Sequence, residues 1–98
     1  MFDKMKQLFE LQGKMQAVKK ELENSSVESQ SRGGDIKIVI RGDQKVSSIN
    51  IADSLLSPEN KALFERDLVN CFNEAIKKSQ GLAAEKMKQV TGINLPGF

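Results

Sequence analysis

The 98-residue sequence contains no histidine, no tryptophan, no tyrosine and a single cysteine, Cys71. Without histidine, the commonest general base and the commonest metal ligand are both missing. One cysteine excludes an intramolecular disulfide and a cysteine zinc cluster, and fits a reducing compartment. The aromatic residues are five phenylalanines, so a single-strand binding surface built on stacked bases has little to draw on. There is no run of 18 apolar residues and no signal-peptide core, because the opening MFDKMKQLFELQ mixes charge throughout. The chain is therefore expected in the cytoplasm, with no membrane partner, no small-molecule substrate, no metal and no cofactor. Net charge is only +2, so any electrostatic role depends on where the charges sit.

What is present describes one folded domain, since 39% hydrophobic and 29% charged residues is a globular composition and not a disordered one. From residue 1 to 24 the spacing predicts a helix. Leu8, Leu11, Met15, Val18 and Leu22 recur at alternating steps of three and four, a narrow apolar seam. Met1, Phe2, Met5 and Phe9 widen that seam at its start. Residues 26–51 predict a small antiparallel sheet. SVESQS (26–31) reads as a weak edge strand or a loop, and DIKIVIR as a strand with Ile36, Ile38 and Ile40 on one face. After a turn at Gly42 and Asp43, VSSINI places Ser47, Ile49 and Ile51 on one face and Val46, Ser48 and Asn50 on the other. Ser57-Pro58-Glu59 reads as a helix start with a capping hydroxyl. Helical periodicity then runs over 58–90, with Gly81 a place for a bend or an early end. An apolar tail follows over 91–98.

These lengths pose a packing problem. The second helix, at 1.5 Å per residue, reaches about 50 Å, whereas strands of a small sheet run about 20 Å. The distal half must overhang, yet Leu82, Ala83, Met87 and Val90 still give it an apolar stripe. That stripe and the one from Leu8 to Leu22 need cover, from each other or from a second copy of the chain. The expectation is a homodimer with helical projections, the packing positions being Leu8, Leu11, Met15, Val18, Leu22, Leu82 and Met87.

Charge is concentrated on the overhang. Lys77, Lys78, Lys86 and Lys88 face one acid, Glu85, between residues 77 and 88, a local excess of 4 − 1 = +3. On the first helix Lys4, Lys6, Lys14, Lys19 and Lys20 are offset by Asp3, Glu10, Glu21 and Glu23. Arg32, Lys37, Arg41 and Lys45 flank the hairpin. On composition alone, all of these equally suit solvated surfaces. Cys71, among Leu68, Phe72 and Ala75, reads as a buried inert thiol, and Asn73 as a partner for neighbouring backbone or sheet. No acids converge as a metal-dependent nuclease requires, so no catalytic residue is assigned.

GGDIKIVIRG (33–42), INIADSLLS (49–57), DLVNCFNEA (67–75), MKQVTGINLPGF (87–98) and the opening MKQLFELQGKMQ (5–16) together resemble the YbaB/EbfC family of small bacterial nucleoid-associated proteins. The most specific part is the Phe-Asn-acid-Ala core at Phe72, Asn73, Glu74 and Ala75. Cys71 departs from the alanine usual there, a change a small buried site accepts. The resemblance implies an α+β, α-β-β-β-α protomer, which makes SVESQS the first strand, and a tweezer-like homodimer without cofactor or catalysis. It also implies double-stranded DNA as partner, with the lysines named above on the gripping helices. A protein-binding helical clamp, chaperone-like, is the alternative, in which the apolar stripes would be the working surface.

Overall fold

The computed structural model describes residues 2–92, Thr91 in its backbone only; the expected tail beyond Gly92 lies outside the described residues. The element order is α1 (Phe2–Glu23), β1 (Ser26–Gln30), β2 (Ile36–Arg41), β3 (Val46–Ile51) and α2 (Lys61–Thr91), with short 3-10 turns at Arg32–Gly34, Asp53–Leu56 and Pro58–Asn60. This is the α-β-β-β-α arrangement, an α+β fold. The three strands are antiparallel in the order β1-β2-β3.

Strand β2 is the centre of the core. Its Ile36, Ile38 and Ile40 are fully buried beneath α2, packed with Leu55, Cys71 and Ala75. Burial of a side chain of this size contributes about 1.5–3 kcal/mol as an upper estimate. The polar β1 joins the sheet because β2 offers it a complete ladder from Ser26↔Arg41 to Gln30↔Lys37. Its one deeply buried residue, Ser29, is satisfied by donating from its hydroxyl to the Cys71 carbonyl at 3.0 Å. Strand β3 departs from strict alternation. Val39 pairs with Ser48 but Ile40 pairs with Val46, so Ser47 is an extra residue in a bulge. The bulge brings Val46 opposite Ile40, onto the face of Ile49 and Ile51, where strict alternation had put it on the other face.

The α2 helix lies across β1 and β2. A helix is about 10 Å wide and strands are spaced about 4.8 Å, so one helix covers two strands and leaves the third. Val46 and Ile49 on β3 accordingly remain 42% and 41% exposed. The helix begins at Lys61, after the turn at Pro58–Asn60, and Ser57 makes no side-chain capping bond. The neighbouring Asn60 amide instead donates to the Ser54 carbonyl at 2.7 Å. From there α2 runs unbroken through Gly81 to a left-handed cap at Gly92 (φ 73°), whose N–H donates to the Lys88 carbonyl.

At 31 residues α2 is about 46 Å long and must leave the sheet. Ser79 marks its last anchorage, donating its hydroxyl to the Arg41 carbonyl at 2.7 Å. Helix α1 runs back alongside the projecting part, burying Val18 against the stripe that contains Ala83 and Met87. The described chain measures 67 × 22 × 16 Å with a radius of gyration of 18.2 Å, against about 13 Å for a compact globule of this length. The two-helix arm accounts for the difference.

The root of the arm is fixed at Gly42. Its N–H donates to the Ser25 carbonyl at 2.9 Å. A side-chain carbon at this position would stand 2.8 Å from Leu22 Cδ2 and 3.2 Å from the Leu22 backbone. Glycine is therefore required here for close approach. The residue with positive φ in this hairpin is Gln44, at 67°.

Candidate nucleic-acid interface

The lysines of the arm fall into two groups. Lys78 donates from Nζ to the Glu28 carbonyl of β1 at 2.9 Å and pairs with Glu74 at 3.2 Å. Lys86 is half-buried between the helices and pairs with Glu21 of α1 at 3.6 Å. Both fasten the arm to itself or to the body. Lys77 and Lys88 are exposed and have no ion pair among the described residues. At 100° per residue their directions differ by about 20°, and their Cα atoms are separated by about 17 Å along the axis. They form one cationic line on the outward side of α2.

Lys4, Lys6, Lys14, Lys19 and Lys20 are all exposed on α1, likewise without an ion pair among the described residues. Lys19 and Lys20 border a shallow hollow of about 440 Å³ with Gln16, Ala17 and Glu23. Two of the four hairpin charges are committed elsewhere. Lys37 pairs with Glu28 at 3.3 Å, and the Arg41 guanidinium grips Asp43. A hydrogen bond from the Gln30 side chain holds the Glu28 carboxyl below its ordinary pKa, assisted by Lys37 and Lys78. The Arg41 hydrogen bond does the same for Asp43.

The expected packing positions divide as well. Val18 and Met87 are buried and Leu22 and Leu82 half-buried within the helix pair, while Leu8, Leu11 and Met15 remain exposed. Further exposed apolar side chains were not expected from the stripes: Val46 and Ile49 on β3, and Val69 and Ile76 on α2. The usable signal was the mismatch between one body helix and three strands. Cys71 is buried, with its thiol 3.5 Å from both the hydroxyl and the carbonyl of Ser29. Asn73, by contrast, is exposed and its side chain makes no hydrogen bond among the described residues, which corrects the expectation of a backbone or sheet partner. Its position on α2 points away from β1 and β2.

A polar cleft of about 450 Å³ opens between the end of β1 and α2. Arg32 and Arg66 on its walls are balanced by Asp67 and Glu74, and Arg66 already contacts Asp67 at 3.3 Å. Among the described residues no group of His, Cys, Asp and Glu side chains could hold a metal ion. No described helix is long and apolar enough to cross a membrane.

The family model of the YbaB/EbfC DNA-binding family matches residues 1–93. The chain belongs to the YbaB/EbfC DNA-binding family. It is 33% identical over 98 residues to a nucleoid-associated protein of Syntrophobacter fumaroxidans, covering 99% of this chain and 89% of the relative. A nucleoid-associated protein of a Bradyrhizobium species is 41% identical over 96 residues, covering 96% and 91%. The crystal structure of an uncharacterized protein from Helicobacter pylori superimposes with a TM-score of 0.64 at 24% identity, covering 94% of this chain and 98% of that one. That likeness concerns the fold. YbaB/EbfC is a DNA-binding family, not an enzyme family, and its relatives here are bacterial nucleoid-associated proteins.

Proposed function

We propose that this YbaB/EbfC protein works in the bacterial cytoplasm as a homodimer that binds double-stranded DNA of the nucleoid through phosphates. Lys77 and Lys88 of α2 would make the leading contacts, with Lys14, Lys19 and Lys20 of α1 in support. Lys78 and Lys86 would hold the arm in shape. The observation that carries this reading is the division among the α2 lysines. Two are spent on Glu28, Glu74 and Glu21, and two are left free in line along α2, Lys77 just before the anchorage at Ser79 and Lys88 on the projecting part. Ammonium groups serve phosphate as point charges and read base edges poorly. Sequence preference would then come from duplex shape, and any effect on gene expression from occupancy and nucleoid organisation.

The second copy would join through the body. Val46 and Ile49 are the apolar part of β3 that a single helix leaves uncovered, β3 is a sheet edge, and the exposed Val69 and Ile76 of α2 would add to the surface.

The test compares two double variants in duplex binding at several salt concentrations. Each phosphate contact contributes about 0.9 to the slope of log affinity against log salt. K77Q/K88Q removes four contacts from a dimer and is expected to flatten the slope by about 3.6. K78Q/K86Q is expected to lower stability and leave the slope nearly unchanged. The reverse ranking would move the contact surface elsewhere. A slope near zero for the unmodified protein would favour the protein-clamp alternative, in which the exposed Leu8 and Phe9 would be the working surface.

A further inference from the structure

The tip of α1 carries a surface that neither the arm nor the body uses. The helices run antiparallel, with Glu21 beside Lys86, so Gly92 ends α2 opposite about residue 15 of α1 by equal rise along both axes. Residues 2–14 of α1 therefore extend about 20 Å past the last residue of α2 described. On this length Phe2 is 88%, Leu8 66%, Phe9 66% and Met5 55% exposed. Met5, Leu8 and Phe9 with Gln12 line a shallow apolar groove.

The charges beside this ridge decide what fits it. At 100° per residue Phe2, Met5 and Phe9 lie within about 60° of one another. Lys6 and Glu10 lie together on one flank of that seam, about 40° apart. Neither has an ion pair among the described residues. In an antiparallel pair of identical helices each flank meets the same flank of its partner. Centring the overlap on Leu8 sets Lys6 against Glu10 of the second copy and Glu10 against its Lys6, two reciprocal opposite-charge pairs around an apolar seam. A parallel overlap brings Lys6 and Glu10 against apolar positions and satisfies neither.

We propose that the α1 tip is a self-association surface on which the tip of another copy lies antiparallel over residues 2–14, joining separate dimers into DNA bridges. It rests on the body-paired dimer proposed above. An antiparallel overlap sends the second copy's body away in the opposite direction along the arm. That copy therefore cannot also be the one paired through β3. The ridge is of the few-hundred-Å² class, on the order of 300–600 Å², and two such surfaces bury less than the roughly 1,200 Å² of a stable interface. The contact is weak in free solution and gains strength where DNA holds many copies at high local concentration.

Two experiments test it. Under mild oxidation F9C is expected to link copies into species larger than a dimer, since Phe9 lies on the seam about one residue from the centre of the overlap, within reach of its own counterpart, and Cys71 is buried. A linked product of two-chain native mass would place the tips within one dimer and overturn the proposal. So would a failure to link. An F9C thiol that also resists a small alkylating probe would assign the ridge to cover from its own chain. The mass of unmodified protein before oxidation separates these outcomes from failure of body pairing, which would leave a monomer. In the second experiment F2S/F9S is expected to reduce capture of a labelled duplex by an immobilised duplex by about tenfold or more, the gain that tethered contacts supply. Its affinity for a single short duplex is expected to change less than about twofold, because no phosphate contact is removed. Undiminished capture would overturn the proposal.

Discussion

The arm acts at a distance from the body only if its root is rigid, and Gly42 is where that rigidity can be measured. In Gly42→Ala the new methyl would sit 2.8 Å from Leu22 Cδ2 and 3.2 Å from both Cα and the carbonyl oxygen of Leu22. The first contact can relax by turning a side chain. The other two involve backbone at the end of α1 and relax only if the helix moves off the sheet. That movement would stretch the 2.9 Å hydrogen bond from the Gly42 N–H to the Ser25 carbonyl. Overpacking of this kind costs about 1–3 kcal/mol. Replacing glycine recovers about 0.4–1 kcal/mol through the less flexible unfolded chain. The net expectation is destabilisation by about 1–2 kcal/mol, seen as a lower urea midpoint with an unchanged slope. An unchanged or higher midpoint would show that α1 is not seated against the hairpin in solution, and the fixed-arm account would fail there.

Two further predictions follow from charge and from the uncovered strand. Glu28 and Asp43 both have lowered pKa values in the folded protein, through Gln30 and Arg41 respectively. Their contribution to stability is present above the ordinary carboxylate pKa near about 4 and is lost as pH falls through the lowered folded values. With no histidine to titrate, the urea midpoint is expected to stay level from about pH 7 to 5 and to fall below about 4; D43N is expected to shrink that fall, and a steep change near neutrality would contradict the assignment. V46D/I49D is expected to convert a body-paired dimer to monomer in sedimentation while each protomer keeps its helical signal. A dimer of undiminished strength would place the pairing surface elsewhere.

The long elements were legible because each obeys a simple period. Ile36, Ile38 and Ile40 alternate along a strand, and Leu8 to Leu22 follow a helical seam, so the order helix, hairpin, long helix and the overhang could be read directly. What escaped depends on residues distant in sequence. β1 has almost no apolar signal, and its one buried side chain, Ser29, is satisfied 42 residues away at Cys71; only the family resemblance pointed to a strand there. The bulge at Ser47 depends on register with β2, which alternation within β3 cannot reveal. Among the four α2 lysines, sequence shows equal charges. Separating them required Glu28 and Glu21, 50 and 65 positions from their partners Lys78 and Lys86. The capping expectation at Ser57 failed for a local reason, because its backbone leads into a separate 3-10 turn at Pro58–Asn60. The uncovered face of β3 follows from counting strands against helices, which the strand and helix lengths alone do not do.

The central claim is that free lysines on a rigid projecting arm meet DNA through phosphates. Its most direct measurement is the affinity of the unmodified protein for a short duplex between about 50 and 200 mM salt. The four unpaired α2 lysines of a dimer predict a slope in log affinity against log salt at least as steep as about −3.6, similar for duplexes of unrelated sequence. A slope near zero, or binding confined to one sequence and indifferent to salt, would contradict it.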